Sequence, residues 1–233
     1  MIICVYHGSS FKEVNESQTA KITAHITAQF PEQEVIECYY SSHVLKTMER
    51  RQTPLLSFKQ ALTSNYHNSE IYVLITNLMN GEEFQNILKT VDSIDVEQKV
   101  KHTNFLLSPD NISSLASAVV DKSQPTLFIG HGNDIDNSDY KLLNDILKVD
   151  HNYVTTLKAN IAEILENNFP DKNVCLKPLM ITSAYHAKRD IELNIKQLCE
   201  ELGYTPNLDL TPLALNVNAH KMFENNLKNL MEK

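Results

Sequence analysis

Short strand-like runs alternate with amphipathic helical patterns along the whole chain, and halfway along the order begins again. Ile2–Tyr6, Val35–Tyr39, Ile71–Thr76 and Asn104–Leu107 are short, β-branched or aromatic runs with polar flanks, the pattern of strands covered on both faces. Between them Ile22, Ile26 and Phe30 share one helical face, and Pro54 opens a segment holding Leu55, Phe58 and Leu62. Phe84, Ile87, Leu88 and Val91 form an i, i+3, i+4, i+7 stripe. Ser108-Pro109 is a helix cap with Pro at the first helical position, leading into Ile112, Leu115, Ala116 and Val119.

The second series opens with a strand at Thr126–Ile129, a helical stripe through Tyr140, Leu143, Ile146 and Leu147, and a weaker strand around Val149–Val154. A helix through Leu157, Ile161, Ile164 and Leu165, a strand over Val174–Thr182 and a helix through Ile191, Ile195, Leu198 and Leu202 follow. A short extended run at Leu208–Leu213 and a terminal helix to Lys233 complete it. Strands alternating with helices of this length specify an α/β fold of parallel strands joined by right-handed crossovers. No Gly/Ser linker or low-complexity tract intervenes, so 1–121 and 122–233 are expected as two similar lobes of one compact unit. Each is expected to be a parallel sheet flanked by helices, with the ligand cleft between them.

Charge narrows the partners. With 29 acids against 21 bases the formal charge is −8, and no basic run offsets phosphate repulsion, which argues against a nucleic-acid binder. No apolar run is long enough to span a membrane, and MIICVYHGSS lacks the features of a secretory signal, so a cytoplasmic protein is expected. Cys4, Cys38, Cys175 and Cys199 show no C-x-x-C spacing and read as buried, reduced thiols. Oligomeric state is left open, with a homo-oligomer compatible with the sequence.

Glycine is scarce, five residues in the chain against a usual share of about 7%, and four of the five (Gly8, Gly81, Gly130, Gly132) follow strand-like runs. The halves echo each other there: IICVYHGSS matches TLFIGHGND, and ITNLMNGEEF lies where PLMITSAYHA lies, which puts Glu83 opposite His186. This pairing predicts two strand-end loops per lobe, all facing one cleft.

His131, between Gly130 and Gly132 beyond a buried strand, is the strongest functional candidate, since working groups concentrate on such loops. His186 has Asp190 at i+4, a spacing that lets the carboxylate accept the second ring N–H. Lys188 and Arg189 occupy the same first helical turn, where cations oppose the helix dipole, and point to an anionic ligand. Glu82 and Glu83 are a commonplace first-turn choice taken alone, and His7 reads equally as a ligand or as a loop cap. Two imidazoles and a carboxylate in one cleft suit a late first-row divalent ion. HExxH, Walker, G-x-G-x-x-G and G-x-S-x-G strings are absent from the sequence.

FIGHGND with Tyr140 downstream, and LKPLMITSAYHAKRDI, resemble the anaerobic cobalt chelatases of cobalamin synthesis, the CbiK family of class II tetrapyrrole chelatases. VYHGSS, YYSSHVLKTMERR and NLMNGEEFQNI follow that family's order, and the resemblance weakens after about Gly203. It implies a two-lobed lyase that inserts Co²⁺ into sirohydrochlorin or a close relative without ATP and without an organic cofactor. The alternatives are chelation of Fe²⁺ or Ni²⁺, or tetrapyrrole or metal binding without turnover. By the resemblance His131, His186 and Glu83 match the family's metal and proton-handling residues, and a further family Glu falls at Asp150 or His151, with His7 an additional ligand candidate. Gly8, Ser9, Gly81, Gly132, Tyr185, Lys188 and Arg189 are the expected substrate-binding positions. The sequence departs from the family pattern at Asn77, where His is common, and at Ala184-Tyr185, which replace a Gly-Asp pair.

Overall fold

A computed structural model describes residues 1–67, 70–95, 97, 99–132, 137–183 and 186–232. The strands are β1 (Ile2–Tyr6), β2 (Val35–Tyr39), β3 (Ile71–Ile75), β4 (Val100–His102), β5 (Thr126–Gly130), β6 (Asn152–Thr156), β7 (Asn173–Pro178) and β8 (Thr205–Leu208). They form two all-parallel sheets of identical topology, ordered β2-β1-β3-β4 and β6-β5-β7-β8. Helices α1 (Lys12–Val14), α2 (Ala20–Gln29), α3 (Ser42–Arg50), α4 (Phe58–Asn65), α5 (Glu82–Ile94) and α6 (Ile112–Val119) accompany the first sheet in sequence. With the second come α7 (Ser138–Leu147), α8 (Ile161–Asn168), α9 (Lys196–Glu201) and α10 (Val217–Met231). Two π-helical stretches, Asn15–Thr19 and Ala187–Ile195, lead into α2 and α9.

The apolar strands are buried because helices cover both faces. β1, β3 and β5 are buried at every position. One core joins the sheets, running from Ile2, Tyr6 and Leu74 through Leu106 and Leu115 to Phe128, Leu213 and Phe223. The C-terminal helix α10 crosses back to pack on α2, α6 and β3, so the two lobes interlock. All four cysteines are buried and free. Among the described residues no helix is long and apolar enough to cross a membrane.

Three strand expectations are corrected. The fourth strand is Val100–His102 rather than Asn104–Leu107. Leu106 and Leu107 are buried without being a strand, their N–H groups donating to the carbonyls of Asn77 and Leu78 beyond β3. The eighth strand likewise precedes the expected run, and Leu213 and Ala214 donate to Met180 and Ile181 beyond β7. β6 starts at Asn152, because His151 takes a left-handed conformation (φ 56°) and Val149 lies exposed in the preceding turn. The matching backbone pairs make Asn77 the counterpart of Met180, and hence Glu83 the counterpart of His186. β1 and β5, of equal length, make His7 the counterpart of His131.

The crossing of α10 carries a pH-sensitive contact. His25 on α2 lies 3.0 Å from Glu224 on α10, with the His220 ring 5.4 Å from that of His25. Burial holds the His220 imidazole below its ordinary value, against the pull of the Ala214 carbonyl that accepts its Nε2–H, and His25 lowers it further. The unfolded chain therefore takes up this proton first, and the contribution to stability is complete above about pH 6.5 and lost as pH falls through the folded value. His220→Gln keeps a donor for Ala214 without titrating. Thermal unfolding of the two proteins is expected to run parallel above pH 7, with the wild type losing ground relative to the variant towards pH 5.

Candidate active site

Both HG loops depend on a glycine that no other residue replaces. Gly8 and Gly132 adopt φ of 85° and 70°, and a Cβ would lie 2.7 Å from the Tyr39 ring in the first case and 2.6 Å from Thr156 Cβ in the second. These turns send the backbone down against the neighbouring strand's end and leave His7 and His131 exposed above it. Gly81 is the cap of α5, and it starts that helix so that Glu83 stands in the first turn.

In the first lobe His7 Nδ1 lies 3.0 Å from Glu83 Oε1. Tyr40, from the end of β2, donates its hydroxyl to Glu83 Oε2 at 3.0 Å and receives the Asn77 amide N–H at 2.9 Å. Asn77 thus holds the phenol in the orientation in which its proton goes to Glu83, while Asn77 Oδ1 is buried and has no partner among the described residues. Burial pushes the Glu83 carboxyl up, but the hydrogen bond and charge of His7, the Tyr40 hydroxyl and the charge of His131 outweigh it and hold it below the usual glutamate range. Tyr40 is pushed well above its ordinary value by burial and by Glu83, and stays a neutral donor.

The second lobe repeats the arrangement with two imidazoles. The His131 and His186 rings meet edge to face, centroids 4.7 Å apart. His131 Nδ1 lies 2.9 Å from the Gly132 carbonyl, which can only accept, so that nitrogen carries the proton. His186 Nδ1 lies 2.7 Å from Asp190 Oδ2, with the same consequence. In the neutral form of His131, Nε2 then keeps its lone pair, the form that binds a metal ion or takes a proton. Lys188 and Arg189 are exposed on the turn that His186 opens. Ser9 is buried, its N–H donating to Asn15 Oδ1.

The expected trio of His131, His186 and Glu83 is therefore two pairs. Glu83 is turned to His7 and Tyr40, and His131 reaches it only through its charge. Among the described residues no three His, Cys, Asp or Glu side chains converge closely enough to hold an ion. Asp150 and His151 are not part of the site. Asn152 pairs with Thr126 at the start of β5, whereas the loops of interest follow Gly130, which pairs with Thr156. Four strand residues separate the two ends, about 13 Å at the usual rise; Asp150 there faces Lys122 at 3.5 Å. At the cleft end of β6 stand Thr155 and Thr156 rather than a carboxylate. Tyr185 lies outside the described residues.

The model of the cobalt chelatase (CbiK) family matches residues 1–232. This chain belongs to that family. Its fold is shared with the sirohydrochlorin chelatase SirB from Bacillus subtilis subspecies spizizenii in complex with cobalt (TM-score 0.62, 12% identity, 99% of this chain and 94% of the other). SirB from Bacillus subtilis with Fe³⁺ matches similarly (TM-score 0.64, 12% identity, 98% and 94%). DR2241 from Deinococcus radiodurans, a multi-domain protein with structural similarity to chelatases and two additional novel domains, gives TM-score 0.64 at 13% identity over 97% of this chain and 54% of its own. No curated protein sequence matches. Tyr40 and Asn15, which bond Glu83 and the loop after His7, were not singled out from the sequence of this CbiK-family chain. The doubled Tyr39-Tyr40 at a strand end was a usable signal for the first, since a buried Tyr needs a hydroxyl partner.

Proposed function

We propose that the chain inserts a divalent metal, Co²⁺ in the first instance, into a sirohydrochlorin-type tetrapyrrole without ATP. The observation that carries this reading is the pair of imidazoles meeting edge to face at the cleft, each oriented by an acceptor on Nδ1, with Nε2 of His131 placed to act as a base or ligand. Insertion requires that two pyrrole N–H protons leave while a partly dehydrated cation meets one face of the macrocycle. A cation held by two neutral nitrogens keeps most of its positions for water and for the incoming ring. Imidazole as a side-chain class suits both tasks, because it can bind a late first-row ion and can accept a proton.

His131 and His186 are assigned to metal delivery and proton abstraction, and Asp190 stabilises the imidazolium that forms on His186. Glu83, ionised and bonded to His7, is the proton acceptor across the cleft, with His7 as its outlet to solvent. Lys188 and Arg189 supply local positive charge against the long-range repulsion between a polycarboxylate substrate and a protein of formal charge −8. Imidazole sites discriminate weakly among late first-row ions, so the assignment of cobalt is tested by rate rather than by affinity. Under strict anaerobiosis, kcat/KM for sirohydrochlorin is expected to be highest with Co²⁺ among Co²⁺, Fe²⁺ and Ni²⁺. A higher value with Fe²⁺ or Ni²⁺ reassigns the metal and leaves the chemistry standing.

A further inference from the structure

One π-helical turn, Asn15–Thr19, holds the loops of both lobes. Asn15 clasps the loop after β1, its Oδ1 accepting the Ser9 N–H at 2.8 Å and its Nδ2 donating to the Ser9 carbonyl at 2.9 Å. Gln18 reaches across to the other lobe, where its Oε1 accepts the Ser183 N–H at 2.9 Å and its Nε2 lies 3.1 Å from Ser183 Oγ. Both carboxamides are buried, Asn15 at 3% and Gln18 at 9% exposure. Ser9 stands two residues after His7, and Ser183 three before His186. π-turns are rare, and they concentrate at functional sites.

The direction of the second hydrogen bond follows from the first. A backbone N–H only donates, so the amide oxygen of Gln18 faces it and the amide nitrogen faces Ser183 Oγ as a donor. The hydroxyl is thereby used as an acceptor. Its own proton is not spent on Gln18, and no acceptor among the described residues takes it. Ser183 is half-buried, on the loop that leads into His186, with exposed Lys188 and Arg189 on the turn beyond.

We propose that Ser183 is a substrate-binding residue whose hydroxyl donates to a carboxylate oxygen of the tetrapyrrole, and that Gln18 is the positioning residue that aims it. The proposal rests on the chelatase reading, which makes the ligand a polycarboxylate rich in acceptors at its periphery. By using up the hydroxyl's acceptor role, Gln18 leaves a donor that tells an anion from a cation. The same clasp ties the His186 loop to the turn that holds the His7 loop, so the spacing of the two reactive pairs is set by one element.

The experiment compares Ser183→Ala, Ser183→Thr, Gln18→Glu and the Gln18→Glu/Ser183→Ala double variant by anaerobic Co²⁺ insertion and by equilibrium titration with sirohydrochlorin, with thermal unfolding as the folding control. Ser183→Ala is expected to raise KM and the dissociation constant about tenfold, the usual effect of losing one hydrogen bond to a charged group, with kcat little changed. Ser183→Thr restores both. Gln18→Glu decides the mechanism, because a carboxylate still accepts the Ser183 N–H but now also takes its hydroxyl proton away from the ligand. It is expected to match Ser183→Ala, and the double variant to be no worse than either. A purely structural clasp survives Gln18→Glu with both bonds intact, so an unchanged KM in that variant, or in Ser183→Ala, overturns the proposal. If the wild type binds sirohydrochlorin without inserting metal, the chelatase reading fails while the titration still tests Ser183. If it does not bind, both fall.

Discussion

Replacing His131 with Ala is expected to lower the rate of metal insertion by at least ~100-fold, the low end of the usual contribution of a positioned acid–base group, while sirohydrochlorin still binds. The ring is exposed beyond a buried strand and, among the described residues, makes one internal hydrogen bond, to the neighbouring Gly132 carbonyl, so its removal leaves the fold intact. On the proposed mechanism, what disappears is the His131 nitrogen that meets the cation and the pyrrole protons. His186→Ala is expected to behave alike, and the double variant to fall little further, because the pair acts as a unit. Asp190→Asn keeps an acceptor for His186 Nδ1 but removes the charge that stabilises an imidazolium; its loss is expected to be about tenfold, shallower than that of His186→Ala. If His131→Ala leaves both insertion and binding unchanged, the assignment of this loop fails.

Gly132→Ala is the second large effect, and it acts through two independent penalties. The residue sits at φ 70°, which costs an L side chain about 1–2 kcal/mol. The new methyl also meets Thr156 Cβ at 2.6 Å, a contact that only a backbone shift relieves, at about 1–3 kcal/mol. Together these lower the melting temperature by roughly 5–15 °C for a chain of this size. Activity should fall as well, since the Gly132 carbonyl that fixes the His131 tautomer moves with the turn. Adding Thr156→Gly removes the clash and not the backbone strain, so it should recover part of the loss in Gly132→Ala. Full recovery contradicts the contribution of the left-handed turn.

Much of this architecture is legible in the sequence because burial writes itself as apolar runs. β1, β2 and β3 stand almost where their patterns put them, and so does β5. The edge strands β4 and β8 were misplaced for a physical reason: as half-exposed strands they are polar, while the apolar runs beside them, at Leu106-Leu107 and Leu213-Ala214, are buried loop segments tucked under the neighbouring strand's extension. The internal repeat located His7, His131, Glu83 and His186 at equivalent positions, and Asp190 was found from helical spacing alone. Pairing within the site was not legible. That Glu83 turns to His7 and Tyr40 rather than to the imidazoles depends on side-chain directions across the sheet end. The Gln18–Ser183 clasp joins polar residues 165 positions apart, and no periodicity connects them.

The most direct test of the account is a catalytic one: anaerobic sirohydrochlorin and Co²⁺ in large excess over the protein, followed by absorbance against a protein-free control. The account predicts a metal-dependent spectral change that runs well ahead of the control through many equivalents of product. A change that stops at one equivalent per chain would contradict it and make this a tetrapyrrole-binding protein on a chelatase fold.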